Sequence, residues 1–300
     1  MKKNIRIFDL KFDKKYRKKF HIGVEKILDE GFLSNHSYVR RLEETFSIKN
    51  NSNFAIAVNS GTAAIELILR SINVKNKKVL IANNTFIGTA IAAKNAGGKP
   101  LPIDIDKKYY SLCPDQLEKN LIKEKNVAAV VIVHIAGLVT PNIKKIIKIC
   151  RKYKIPLVED CAQAYGSSYE GTAVGNFGVA GAFSLQTTKV LTAGEGGVVV
   201  TNDNNLKNKM IKNRFYGYDE KNKLLYVTEG SNLKMSEFVA LAALCDLDRI
   251  DKRVSKRQAL ASRYQKNLKK SSWLTLSPSL NSNTSYYKQI ILSPIDRKKV

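Results

Sequence analysis

Cysteine is scarce: four in 300 residues, at positions 113, 150, 161 and 245, with no C-x-x-C pair. That spacing excludes a zinc ribbon or a disulfide framework and fits a reducing compartment, so a cytoplasmic protein is expected. The three histidines, His21, His36 and His134, show no ligand spacing, and no metal site is expected. No apolar run approaches the ~20 residues of a membrane-spanning helix, and no membrane partner is expected. The N-terminus, MKKNIRIFDLKFDKKYRKKF, is basic but has no apolar core of a secretory signal. No G-x-G-x-x-G follows a strand, which disfavours a dinucleotide-binding dehydrogenase. Acid is also short: 26 Asp and Glu against 51 Lys and Arg, a net charge of +25. A nucleic-acid binder is one explanation, and it predicts salt-sensitive retention on DNA. The lysines, however, run from Lys2 to Lys299 without a dominant block, and no RNP, zinc-finger or basic-zipper pattern accompanies them. The charge is read as solvated helix faces, with no nucleic acid as partner; a basic surface also suits an anionic substrate.

Against these absences stands a composition that is 44% hydrophobic, enough for one large domain with a smaller one attached. Phe20, Ile22, Val24, Ile27 and Leu28, then Val39, Leu42 and Phe46, follow helical spacing, with a break at Gly31–His36. Strand-like runs follow at Phe54–Val58, Val79–Ala82, Pro100–Ile103 and Val127–His134. A helix over Ile143–Tyr153 returns the chain to a run ending at Asp160. Strand, crossover helix, strand is the rhythm of a parallel sheet, so the expected fold class is α/β. Asp104 and Asp106 read as solvated turn residues, and His134 as a satisfied structural histidine. Ser60-Gly61-Thr62 opens a helix. Its N–H groups and dipole suit a phosphate, although plain capping by Ser60 or Thr62 fits the residues equally.

The most informative stretch is Leu157–Gly197, LVEDCAQAYGSSYEGTAVGNFGVAGAFSLQTTKVLTAGEGG. Asp160 closes one strand, and Lys189 follows a second one, Val179–Leu185. Open α/β sheets hold their ligands at the C-terminal ends of the strands. A lysine there can condense with an aldehyde cofactor, of which pyridoxal phosphate is the usual one. An acid then keeps the cofactor's ring nitrogen protonated.

Val158-Glu159-Asp160-Cys161-Ala162-Gln163-Ala164, Phe183-Ser184, Thr188-Lys189 and Thr192-Ala193-Gly194-Glu195-Gly196-Gly197 together resemble the DegT/StrS family of pyridoxal-phosphate aminotransferases. The wording FSLQTTKVLTAGEGG is most similar to the cyclitol and aminobenzoate-type branches. The resemblance implies a three-layer α/β/α large domain with a mostly parallel sheet, residues 1–248, carrying a helical arm over 1–53. It implies a small α+β domain beginning at 249–300, which the family continues for several tens of residues more.

It also implies the site. Lys189 would bind pyridoxal 5′-phosphate and move a proton, and Asp160 would face the ring nitrogen. Phe86 would stack on the ring, and Gln163 would reach its phenolic oxygen. Ser60, Gly61, Thr62 and Ser184 would hold the phosphate, joined by Asn232 of a partner chain in a homodimer with shared sites. The implied reaction transfers an amino group from glutamate or glutamine to a keto-sugar, nucleotide-linked, for amino-sugar and cell-surface polysaccharide synthesis. A cyclitol ketone is an alternative acceptor. A sugar dehydratase would carry histidine in place of Lys189. An inactive truncated homologue with a binding or regulatory role is the remaining alternative.

Overall fold

The structure, a computed structural model, describes residues 10–219, 225–269 and 271–296. In chain order the elements are α1 (Lys14–Glu30), α2 (Ser37–Lys49), β1 (Phe54–Val58), α3 (Gly61–Ser71), β2 (Lys78–Ala82), α4 (Ile87–Asn95), β3 (Lys99–Ile103), α5 (Pro114–Lys123), β4 (Val127–Val133), α6 (Ile143–Lys152) and β5 (Leu157–Asp160). Then follow β6 (Ser168–Tyr169), β7 (Thr172–Ala173), β8 (Ala180–Ser184), β9 (Gly197–Thr201), α7 (Asn204–Arg214), α8 (Glu237–Leu247), α9 (Ile250–Leu268), β10 (Leu274–Thr275), β11 (Ser282–Asn283) and β12 (Ile291–Leu292).

Seven strands make the central sheet in the order β1-β9-β8-β5-β4-β2-β3. Only β9 runs against its neighbours β1 and β8; the other pairs are parallel. The strands are near-continuous apolar runs because both faces are buried. Ala57, Leu80, Val130, Ile132, Leu157, Phe183, Val198 and Val200 pack with α2, α6 and α8 through Leu42, Phe46, Ile146 and Leu241. Alternate positions, Ile56, Val58, Val79, Ile81, Val131, Val158 and Val199, pack with α3, α4 and α7 through Leu67, Ala92 and Met210. Two cores separated by a period-two sheet give the three-layer α/β/α architecture expected. Each fully buried Phe46 or Phe183 contributes about 1.5–3 kcal/mol, and the two rings meet edge to face at 5.1 Å.

Four local features depart from simple sequence periodicity. Ile22 and Leu28 are exposed, because α1 faces α8 through Ile27 and the close approach of Gly23 to Leu241. His36 sits at the start of α2 without capping it; buried Glu237 accepts from the N–H groups of His36, Tyr38 and Val39 at 2.7, 2.6 and 3.1 Å instead. Helical spacing runs on through Arg249 in the sequence, but the helix breaks at Asp248–Arg249. There the chain turns so that Ile250 enters the core, and buried Asp246 accepts from Arg249 and Arg253. The strand-like run Tyr286–Leu292 is strand only at Ile291–Leu292. Tyr286 lies in the left-handed region at φ 47°, and the carbonyls of Tyr286 and Tyr287 accept from Arg257.

Candidate active site

The parallel strands deliver their C-terminal ends to one edge of the sheet, where a cavity of about 540 Å³ opens. Its wall carries Ser60, Gly61 and Thr62 after β1, Phe86 and Thr89 after β2, Asp160 and Gln163 after β5, Ser184 at the end of β8, and Lys189. Residues separated by 129 positions, from Ser60 to Lys189, therefore meet on one surface.

Ser60 caps α3, its hydroxyl accepting from Ala63 N–H at 3.0 Å. The capping and phosphate readings of this turn coexist, since the cap still leaves the dipole end and first-turn N–H groups at the cavity. Gly61 is required by space: a Cβ there would lie 2.7 Å from Ser184 Cβ. At Gly197 a Cβ would lie 2.2 Å from the Ser60 carbonyl oxygen, so a side chain there would push β9 off this turn.

Asp160 is 5% exposed. Its Oδ2 accepts from Thr89 Oγ1 at 2.8 Å and its Oδ1 from Ala162 N–H at 3.1 Å. With Asp160 ionised, Thr89 donates to it and takes its own hydrogen bond from Thr85, 2.7 Å away. Burial raises the Asp160 carboxyl above its ordinary range; the Thr89 and Ala162 bonds and the charges of Lys189 and His134 pull the other way without cancelling it. A cationic ring nitrogen is the kind of group this carboxyl lacks.

Gln163 Oε1 accepts from Ala136 N–H at 2.8 Å, which leaves its NH2 as the donor available to the cavity. Phe86 is 71% exposed at the start of α4, its ring on the cavity wall. The loop that carries Lys189 is braced at several points. Thr188 donates to Gln186 Oε1 at 2.7 Å, Thr192 N–H bonds Asp246 Oδ2 at 2.9 Å, and Arg253 donates to the Val190 carbonyl at 2.7 Å. Asn232 stands apart from this set: it is exposed, it does not line the cavity, and its carbonyl accepts from Asn59 at 3.3 Å.

Thr89 and Tyr287 are cavity residues that sequence reasoning missed. Thr89 had a weak signal, a hydroxyl in the first turn of the helix that follows β2. Tyr287 had none, being 99 positions from its partner Thr188.

Beneath the cavity, His134, Glu159 and Cys161 bring ligand-type atoms within 4.8 Å of one another. Glu159 is already committed. Its carboxylate accepts from His134 Nε2 at 2.9 Å and from the N–H groups of Gly175, Phe177 and Gly178 at 2.7, 2.7 and 2.8 Å. Burial holds the Cys161 thiol well above its ordinary pKa, so the sulfur keeps its proton. The group ties the 175–178 loop to the strand ends. Among the described residues, His134 Nδ1 has no hydrogen-bond partner.

Fold and site together define an α/β protein with a helix N-terminus, a buried acid and a lysine converging on one cavity at the strand ends. The chain belongs to the DegT/DnrJ/EryC1/StrS aminotransferase family, whose signature matches residues 14–300. It is 28% identical over 247 residues to the GDP-perosamine synthase of Escherichia coli O157:H7, covering 82% of this chain and 67% of that one. It is 32% identical over 248 residues to the L-glutamine:2-deoxy-scyllo-inosose aminotransferase of Micromonospora echinospora, covering 79% and 58%. The solved structure of Helicobacter pylori PseC, an aminotransferase involved in the biosynthesis of pseudoaminic acid, superposes with a TM-score of 0.85 at 26% identity, covering 96% and 76%. The chain thus spans 58–67% of the length of these two curated relatives.

The family depends on pyridoxal phosphate. The residues present fit that group. The Ser60-Gly61-Thr62 turn and Ser184 offer hydroxyls and a helix N-terminus to a phosphate. Asp160 offers an under-compensated buried acid, Phe86 an exposed ring, and Lys189 an amine on the same wall.

Proposed function

We propose that this chain is a pyridoxal-phosphate-dependent aminotransferase that moves an amino group from glutamate or glutamine to a keto-sugar carried on a nucleotide. The observation that carries the reading is the convergence of Asp160, Lys189 and the α3 N-terminus on one cavity. When bound, pyridoxal phosphate supplies an electron-accepting ring and the aldehyde that shuttles the amino group. The chain's residues do the rest. Lys189 would hold the cofactor's aldehyde end and would serve as the base for the proton at the amino donor's α-carbon. Asp160, held by Thr89 and Ala162, keeps the proton on the ring nitrogen. Gln163 donates toward the phenolic oxygen, and Phe86 covers the ring. The Ser60-Gly61-Thr62 turn and Ser184 anchor the phosphate.

Lys288, also on the cavity wall, supplies positive charge for a nucleotide-linked acceptor, and the perosamine synthase relative is named for a GDP-linked sugar. The likeness to the deoxy-inosose aminotransferase supports a cyclitol ketone as the second reading. Two chains sharing their sites would explain Asn232: its exposure outside its own cavity supports a role toward a partner's phosphate. In this reading residues 1–248 hold the cofactor and 249–300 begin the part that covers the acceptor. No described helix is long and apolar enough to cross a membrane, in keeping with a cytoplasmic enzyme.

The test is the visible spectrum of the purified chain with pyridoxal phosphate, before and after glutamate or glutamine. An absorbance band that bleaches with an amino donor is the expected result. No band, or a band indifferent to every donor, would leave the inactive-homologue reading in its place.

Gly61→Ala gives a second check. The new methyl must displace Ser184 or the start of α3, an overpacking strain of about 1–3 kcal/mol placed on the phosphate turn. The expected outcome is roughly 5- to 100-fold weaker binding of pyridoxal phosphate in a fluorescence titration. Unchanged affinity would remove this turn from the site.

A further inference from the structure

The Lys189 side chain has an unusual neighbour. Among the described residues its ammonium makes no hydrogen bond and no ion pair, and it sits 4.9 Å from the centre of the Tyr287 ring. That is within the range of a cation–π contact, in which the ring face attracts the charged form of an amine. The ring is oriented at its far end. Thr188 spends its proton on Gln186, so the Tyr287 hydroxyl is the donor in its 3.1 Å contact with Thr188 Oγ1.

Both sides of this contact are held by α9. Arg253 donates to the Val190 carbonyl, next to Lys189. Arg257 donates to the Tyr286 and Tyr287 carbonyls at 3.2 and 3.0 Å. Four residues apart, the two arginines project from one helical face. Arg253 is itself fixed by buried Asp246, which also binds Thr192 N–H.

We infer that Tyr287 is a positioning residue for Lys189: its ring face holds the lysine ammonium at the cavity wall whenever that lysine is not bonded to the cofactor, and α9 keeps the two in register through Arg253 and Arg257. This rests on the cofactor reading above. The consequence is a placed lysine: the electron-rich ring face keeps the amine at the cavity wall. The other ionisable groups on the cavity wall are Asp160, Glu195 and Lys288; Lys288 Nζ lies 5.4 Å from the centre of the same ring, so the ring series is run in the Lys288→Ala background as well, which leaves Lys189 as the one cation over the ring among the described residues.

The experiment replaces Tyr287 by phenylalanine and by its mono-, tri- and pentafluorinated analogues. These rings keep the shape while progressively removing charge from the face. For each apoprotein the second-order rate of pyridoxal phosphate capture is followed by absorbance at one fixed pH. Tyr287→Phe is expected to keep the rate of the unaltered chain. The fluorinated series is expected to lower it stepwise, by about 2- to 5-fold in all. Capture itself reports that each protein is assembled, and a purely structural role would leave the rate flat because the ring volume barely changes. A flat rate across the series overturns this inference alone. Absence of capture by the unaltered chain overturns the cofactor reading and this inference with it.

Discussion

A Lys189→Ala protein is expected to transfer amino groups about 10⁴-fold more slowly than the unaltered chain, with its fold intact. The size follows from losing two roles at once, the covalent hold on the cofactor and the base that moves the α-proton. The fold survives because the side chain contributes no hydrogen bond or ion pair among the described residues, only its contact with the Tyr287 ring and its charge near Asp160. Two controls separate chemistry from charge. Lys288 shares the cavity wall, and Lys288→Ala is expected to retain the spectral band given by bound pyridoxal phosphate, which Lys189→Ala loses. Added methylamine is expected to restore part of the lost rate to the Lys189→Ala protein, because a small amine fits the space the side chain vacates. Steady-state rates with glutamate decide the matter: a Lys189→Ala protein working at the unaltered rate would end the mechanism.

The largest expected effect on stability belongs to the neighbour of Asp160. Glu159→Gln is expected to destabilise the protein by about 2–4 kcal/mol. Each carboxylate oxygen accepts two hydrogen bonds, one oxygen from Phe177 and Gly178 N–H, the other from Gly175 N–H and His134 Nε2. An amide must turn its NH2 toward one of these pairs. If it faces 177–178, two backbone donors meet a donor. If it faces His134, the imidazole can change tautomer, since its Nδ1 is otherwise unpartnered, but Gly175 N–H cannot. The urea midpoint should fall with an unchanged slope. Glu170→Gln, which breaks a surface pair with Lys144, should leave the midpoint where it was. Equal midpoints for the two variants would mean that the Glu159 knot adds nothing to the fold.

Much of the fold was readable from local pattern. β4 and β5 are apolar runs bounded by polar turn residues, and such a run, buried on both faces, has few alternatives to a parallel strand. The Ser60 cap and the Asp160–Lys189 stretch were legible for the same reason: turn and strand-end chemistry is written within a few residues. What failed lay where burial depends on a distant partner. The spacing in α1 made Ile22 and Leu28 core candidates, yet only contact with α8 decides which stripe of the helix is covered. The break at Asp248–Arg249 follows from Asp246 being fully buried among Thr192, Arg249 and Arg253, and helix periodicity carries no trace of that.

By itself, then, the sequence determined the α/β class, the strand ends that carry Ser60, Asp160 and Ser184, and the lysine. Each is a local propensity reinforced by burial. Only the tertiary structure decided that Thr89 orients Asp160 from 71 positions away, that Glu237 caps α2 from 201 positions away, and that the Tyr287 ring faces Lys189. These contacts join residues whose separate sequence contexts are ordinary. They exist because packing two cores against one twisted sheet leaves each buried polar group only a few reachable partners, a geometric result that no window of neighbouring residues contains.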